Sequence, residues 1–364
     1  MAPLLIALIV LCCLLAAGAV YLLLALEVLP RFAAKKLRSG PVDETALSFP
    51  EDYDELRARV SVQKDLVYPS KYPANKFDLY LPKDADKTQP LPLVVWIHGG
   101  GFIAGEKEGT ENVMTCLAAA GYAAVSLDYP VAPEHRYPAA IKAIDAFFTF
   151  LPKLCERCPV DLSRIVLGGD SAGAQLAAQF AAKETNAELR ARMRLPRRLL
   201  SPLKGVALVS GPFDLPGLRR YAKAHDKKFL FLVDLWGKAY FGKLLWHRSR
   251  AANETLIAPH VTKDFPPAFL TDGNEGSFEV QNRALGEALR HKNIPVRELY
   301  FERENGAVPH DYLFRLAEAP AKKGFPPFSA SFPRHFPLSL FFILPPIKEP
   351  RIAEAPFFTS PPTE

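Results

Sequence analysis

The chain has 364 residues, 49% of them hydrophobic, with a formal net charge of +6. That length suits two or three average domains, or one α/β catalytic unit carrying insertions, so a single large core is within reach. The cations gather at residues 31–38, 190–204 and 219–228 without the interleaved aromatics or zinc-ligand spacing of nucleic-acid modules, which argues against a nucleic-acid partner.

Residues 2–26 carry no charge and are rich in Leu, Ile, Val and Ala. As a helix this stretch crosses a hydrocarbon layer of about 30 Å. No Lys or Arg precedes it and it is long for a signal core, so an uncleaved anchor over residues 1–30 is expected, with a cleaved signal peptide as the competing reading. Arg31, Lys35, Lys36 and Arg38 crowd the downstream flank. By the positive-inside rule they favour a cytoplasmic catalytic domain, and the acidic residues of 43–55 count for little. Residues 31–59 then read as a juxtamembrane linker or cap segment.

The five cysteines form no disulfide framework. Cys12 and Cys13 lie in the apolar helix, and Cys116 sits in an apolar helical pattern where a buried thiol is expected. Cys155 and Cys158 make one C-x-x-C pair without a second, so neither a redox nor a metal role is expected.

Residues 60–67 and 76–81 read as opening strands, bounded by Pro and Asn. Leu93-Val94-Val95-Trp96-Ile97 is a continuous apolar run, as in a strand buried on both faces. It ends in His98-Gly99-Gly100-Gly101-Phe102. Three successive glycines are costly in chain entropy, so a need for bare backbone is indicated; in a hydrolase, that need is an oxyanion hole, with a plain glycine-rich turn as the alternative. A helix over 112–120, a strand over 122–127 and a helix over 139–151 continue a β-α alternation.

The next strand, Arg164-Ile165-Val166-Leu167-Gly168, leads into Gly169-Asp170-Ser171-Ala172-Gly173 and an alanine-rich helix. Ser171 is therefore expected on a sharp strand-to-helix turn, a nucleophile elbow, with small residues at 169 and 173 letting the two elements approach. An ordinary turn with a capping serine is the plainer alternative.

HGGG at 98–101, DYPVAPEHRYPAA at 128–140 and GDSAG at 169–173 occur in that order. Together they resemble the hormone-sensitive-lipase branch of the α/β-hydrolases, which includes bacterial carboxylesterases and membrane-anchored arylacetamide deacetylases. The resemblance covers roughly residues 60–314. It implies an α/β-hydrolase fold over 60–318, with a mostly parallel central sheet flanked by helices and a helical cap inserted at about 212–259. It further implies that Gly100, Gly101 and Ala172 supply the oxyanion amides, and that His98 and Glu134 support that loop. His135 precedes the nucleophile and so falls outside the order serine, acid, histidine.

Residues 204–210 form the next strand, and residues 214–259 scatter aromatics between cations, as in a pocket lining or simple core packing. The cation-rich residues 190–198 read as a solvated loop or a surface beside anionic lipid rather than a substrate site. The strand at 267–271 delivers both Asp272 and Glu275 at its carboxyl end. Aligned with the family, the acid falls on Glu275, with Asp272 as the alternative, although Gly276-Ser277 follows where the family has Pro-Leu. His310, in the loop after the last strand, stands where the base is required; Asp311-Tyr312 follows where the family has Gly-Phe. After Leu316, dense prolines exclude a continuous helix, so residues 319–364 read as a disordered or loosely attached tail.

The expected activity is hydrolysis of carboxylic esters with short or medium acyl or acetyl groups. It runs through Ser171, His310 and Glu275 with no metal or organic cofactor; a small-molecule ester and the membrane are the implied partners, and the oligomeric state stays open. A non-catalytic ligand-binding protein on the same fold is the alternative.

Overall fold

The computed structural model of the chain describes residues 2–39, 47–86, 88–156 and 158–324. The strands are β1 (Val60–Val67), β2 (Lys76–Pro82), β3 (Leu91–Ile97), β4 (Ala123–Leu127), β5 (Val160–Asp170), β6 (Gly205–Val209), β7 (Ala268–Thr271) and β8 (Val296–Leu299). They form one eight-stranded sheet in the order β1-β2-β4-β3-β5-β6-β7-β8. Pairings β1–β2 and β2–β4 are antiparallel and all others parallel.

The central strands are continuous apolar runs because helices cover both their faces. Leu93, Val95 and Ile97 of β3 enter one core, while Val94 and Trp96 enter the core on the opposite face. The helices are α1 (Ala2–Leu23), α2 (Leu29–Arg38), α3 (Tyr53–Ala58), α4 (Glu111–Ala119), α5 (Ala139–Cys155), α6 (Ala172–Thr185), α7 (Ala187–Met193), α8 (Leu215–His225), α9 (Lys227–Phe241), α10 (Arg250–Glu254), α11 (Glu279–Arg290) and α12 (Ala319–Gly324). Helices α8 to α10 occupy the connection between β6 and β7 and contribute Phe229, Val233, Tyr240 and Phe241 to the first core. Cys116 is buried, as its helical pattern indicates.

The apolar α1 runs through a π-helical turn (Leu24–Val28) into α2. It is long and apolar enough to span a membrane, a property that a signal sequence shares. Helix α2 has a different character: Pro30 and Ala34 are buried, and the helix packs on α9. Arg136 donates to the Leu26 carbonyl and to Glu27, 2.7 Å each, tying the end of the apolar segment to the body.

Two local expectations change. Residues 190–198 are not simply a solvated loop. Ala187–Met193 is helical, and the Arg190 guanidinium donates to the carbonyls of Lys183 and Glu184, satisfying the end of α6, while Arg198 pairs with the buried Asp145 at 2.8 Å. The first six residues of the stretch read as a tail form α12, whose Ala321 is fully buried. Pro320 stands in its first turn, where a missing N–H breaks no helical bond. Residues 325–364, the rest of that stretch, lie outside the described residues.

Candidate active site

Ser171 stands between the end of β5 and the first residue of α6, with φ +49° and ψ −116°. A non-glycine residue with that backbone is strained and is held only by its surroundings. Its amide donates to the Val209 carbonyl at 2.8 Å. The close approach of strand and helix explains the flanking glycines. A Cβ at Gly169 would fall 2.5 Å from the Gly173 carbonyl, and one at Gly173 would fall 1.9 Å from the Ile97 oxygen. This is the elbow that the sequence indicates.

The glycine loop lies beside it. Asp170 accepts from the Trp96 indole at 2.8 Å and from the Gly99 amide at 2.7 Å, so the elbow's own carboxylate fixes the start of the loop. Burial pushes the Asp170 carboxyl well above the usual range, and the nearby Asp311 charge adds to the shift. Gly100 has φ +110° and a Cβ there would strike the Ala104 carbonyl at 2.1 Å, so only glycine fits.

His98 and Glu134 brace this loop in different ways. His98 is buried and stacks on Tyr129 at 4.3 Å; its pKa falls to about 4 because burial disfavours the imidazolium, although a hydrogen bond to the Gly99 carbonyl at 2.8 Å works the other way. Glu134 instead binds Arg38 of α2 at 2.8 Å, and the same guanidinium donates to the carbonyls of Ile103 and Ala132 at 2.7 Å each. Arg38 is thus engaged by the fold, and Arg31 pairs with Glu27, so two of the four flanking cations have partners within the protein.

His310 enters from the loop after β8. Its Nε2 lies 3.0 Å from Ser171 Oγ. Its main chain is fixed by donation to the Glu275 carbonyl at 2.9 Å, and the Phe278 ring meets the imidazole edge-on, with centroids 5.2 Å apart.

The carboxylates at the end of β7 divide differently from the sequence preference. Asp272 is wholly buried, and its Oδ1 lies 3.6 Å from His310 Nδ1, within ion-pair reach but longer than a hydrogen bond. It is also anchored by the Gly273 amide at 2.8 Å and the Phe278 amide at 2.6 Å. Glu275 has an exposed side chain and meets His310 through its main chain alone. The reason is the loop's path. The amides of both Asn274 and Glu275 donate to the Val308 carbonyl, a pairing that spends the Glu275 backbone on the histidine loop and leaves its carboxylate facing water. On this geometry Asp272 replaces Glu275 as the carboxylate facing the imidazole.

A third carboxylate was not singled out from the sequence. Asp311 Oδ2 lies 3.3 Å from His310 Nε2, on the same side as Ser171. Burial alone would lower the His310 pKa, but the negative charges of Asp311, Asp272 and Asp170 outweigh it and raise the value to about 9.

Ser171, His310, Asp311, Gly100, Gly101 and Ala172 open on one cavity of about 410 Å³. Its walls are otherwise almost wholly apolar, and Trp236, Tyr240, Phe241 and Trp246 come from α9 and the turn after it. Phe102 of the glycine loop stacks on Tyr240 at 4.2 Å, seating α9 over the loop, and Leu37 of α2 completes the wall. Leu37 and Arg38 were hidden in the sequence among the cations next to the apolar segment. Among the described residues no cluster of His, Cys, Asp and Glu could hold a metal.

A family profile described as the alpha/beta hydrolase fold matches residues 94–313, more than half of the chain. The chain belongs to the α/β-hydrolases. Within this family it is of the hormone-sensitive-lipase and carboxylesterase type, as its motifs suggest. It is 29% identical over 223 residues to Esterase LipI of Mycobacterium tuberculosis, covering 60% of this chain and 66% of the relative. An acetyl esterase of Salmonella paratyphi B is 26% identical over 234 residues, covering 63% and 68%. The chain therefore spans about two thirds of the length of these curated relatives. Among solved structures, esterase B from Lactobacillus rhamnosis superposes with a TM-score of 0.65 at 23% identity, covering 82% of this chain and 90% of its own. An esterase of Pyrobaculum calidifontis gives 0.56 at 21% identity, covering 81% and 87%. At such identity these structures establish the shared α/β-hydrolase fold.

Proposed function

We propose that this α/β-hydrolase cleaves carboxylic esters through an acyl-enzyme on Ser171, with His310 as base and Asp272 as the supporting acid. The observation that carries the reading is the 3.0 Å approach of His310 Nε2 to Ser171 Oγ on a strained elbow, beside a glycine loop that shares its cavity. The neutral imidazole takes the hydroxyl proton as Oγ attacks the ester carbonyl. Asp272, with Oδ1 3.6 Å from Nδ1, favours the tautomer that carries Nδ1–H and stabilises the imidazolium that forms, a role that requires this contact to close to hydrogen-bond length during the reaction. The amides of Gly100, Gly101 and Ala172 receive the oxyanion, helped by the positive end of α6. The imidazolium then protonates the leaving alcohol, and water, deprotonated by the same nitrogen, releases the acid.

The largely apolar cavity of about 410 Å³ suits short or medium acyl or acetyl esters of moderate hydrophobicity, consistent with the names of the relatives. Helix α1 serves as a single membrane anchor, and residues 212–259 together with α2 form a cap over the site.

The test is turnover of a p-nitrophenyl ester series by the full chain in detergent micelles, together with covalent labelling by a fluorophosphonate. Hydrolysis and labelling are expected, and both vanish in Ser171→Ala and fall by several powers of ten in His310→Ala. A folded protein that binds esters but neither turns them over nor labels would make it a binding protein on this fold.

A further inference from the structure

His310 Nε2 has two neighbours on the cavity side, Ser171 Oγ at 3.0 Å and Asp311 Oδ2 at 3.3 Å. The hydroxyl needs a lone pair on that nitrogen, whereas the carboxylate favours a proton there. Both demands fall on one atom.

The Asp311 carboxylate is not placed there by chance of rotation. Its backbone is left-handed, with φ +56°, and its amide donates to Ser210 Oγ at 3.1 Å. The Phe314 amide donates to its carbonyl at 3.2 Å, so the residue is pinned from both sides. The family pattern has glycine here, which takes such a backbone freely. Aspartate tolerates it better than most residues and adds a charge. Of its two oxygens, Oδ1 is buried without a hydrogen-bond partner and Oδ2 faces the imidazole, while the Ser210 hydroxyl beside the carboxylate favours its charged form.

The other groups facing His310 do not compensate. Asp272 comes from the end of β7, Asp170 from the end of β5, and Asp311 from the histidine's own loop, all acidic; Ser171 and the Phe278 ring complete the surroundings.

We propose that Asp311 is a positioning residue that holds His310 as the imidazolium in the resting enzyme, so that Ser171 is activated, and esters are cleaved, chiefly on the alkaline side of neutrality. The inference rests on the esterase reading of the site. In the resting pair the proton sits on Nε2 between the carboxylate and the hydroxyl, and Ser171 has no base. Loss of that proton to water leaves a neutral ring with Nδ1–H toward Asp272 and a lone pair on Nε2. The Ser171 proton then returns to Nε2 as Oγ bonds to the carbonyl carbon, and Asp311 again faces a cation. The carboxylate thereby strengthens the base once it is free, at the cost of keeping it protonated at neutral pH. The His310 pKa of about 9 agrees with this direction.

The experiment follows fluorophosphonate labelling of Ser171 and p-nitrophenyl ester hydrolysis against pH for the full chain in micelles. The unmodified protein is expected to reach half its maximal rate near pH 9. Asp311→Asn removes the charge and keeps the volume, and its acid limb is expected about one to two units lower, with a several-fold gain at pH 7 and a lower alkaline plateau. Asp311→Gly, suited to the left-handed backbone, is expected to shift the limb likewise. Half-maximal labelling of the unmodified protein at or below pH 7 overturns the proposal, and so does an unchanged limb in either active variant. If neither variant folds, the unmodified protein's curve decides. Absence of labelling at every pH refutes the esterase reading instead, so the two failures are distinct.

Discussion

Asp272 and Glu275 sit three residues apart on one loop, and exchanging each carboxylate for its amide tests which of them serves His310. Asp272 is fully buried with Oδ1 3.6 Å from Nδ1. At an effective dielectric constant of about 20, opposite unit charges at that separation attract by about 4 to 5 kcal/mol. On the alkaline plateau, where the resting ring is neutral, that attraction is made only with the imidazolium of the transition state, so Asp272→Asn is expected to lower the plateau kcat by about two to three powers of ten; Asp311 supplies part of the lost support. The amide oxygen of Asn still accepts from Phe278 N, now at 2.6 Å from the carboxylate, but the Gly273 amide loses its acceptor, so a stability loss of about 1 to 3 kcal/mol accompanies the kinetic effect. Glu275→Gln alters an exposed side chain and leaves both main-chain bonds to the histidine loop, so kcat stays within about twofold and stability within about 0.5 kcal/mol. Steady-state kinetics on a p-nitrophenyl ester, with circular dichroism to monitor folding, makes the comparison. A folded Asp272→Asn enzyme within tenfold of the original, beside a crippled Glu275→Gln, would refute the reasoning.

Arg38→Ala removes donors from the carbonyls of Ile103 and Ala132 and a partner from Glu134. Because the guanidinium is partly exposed, stability falls by only about 1 to 2 kcal/mol, but the loosened glycine loop lowers kcat several-fold; Arg38→Lys, lacking the fork, rescues incompletely. Thermal melts and kcat measured side by side would show it. His98 is held neutral in the fold with a pKa near 4, below its ordinary value of 6.5. A depressed folded pKa gives stability that is complete above about pH 6.5 and is lost as pH falls toward 4. The stability difference between the unmodified protein and His98→Gln, from denaturant titrations, should shrink across that window, and a difference constant from pH 7 to 4 would contradict it.

The sheet was readable because parallel strands buried on both faces are uninterrupted apolar runs, as at Leu93-Val94-Val95-Trp96-Ile97. The elbow was readable because its geometry tolerates few residues: the contacts that a Cβ would make at Gly169 and Gly173 leave glycine as the natural occupant. The acid was not. Which of two nearby carboxylates turns inward depends on how the loop pairs with Val308 and Pro309, thirty-odd residues away, a contact with no local signature. The tie that Arg38 makes was hidden for a related reason: nothing local in the sequence shows that Glu134 is brought against it across the fold. Asp311 was visible as a departure from the family pattern, but its meaning required the 3.3 Å contact to Nε2.

The helix that begins in the apolar segment ends as masonry around the cavity. Leu37 is a stone in its wall and Arg38 a tie to the glycine loop, while Glu27, the first residue past the greasy stretch, is bolted to Arg136. A fragment trimmed at residue 39 would therefore discard part of the chamber together with the apolar helix. Trimming just ahead of Glu27 keeps the Glu27–Arg136 pair, Leu37 and Arg38, and with them the wall of the chamber.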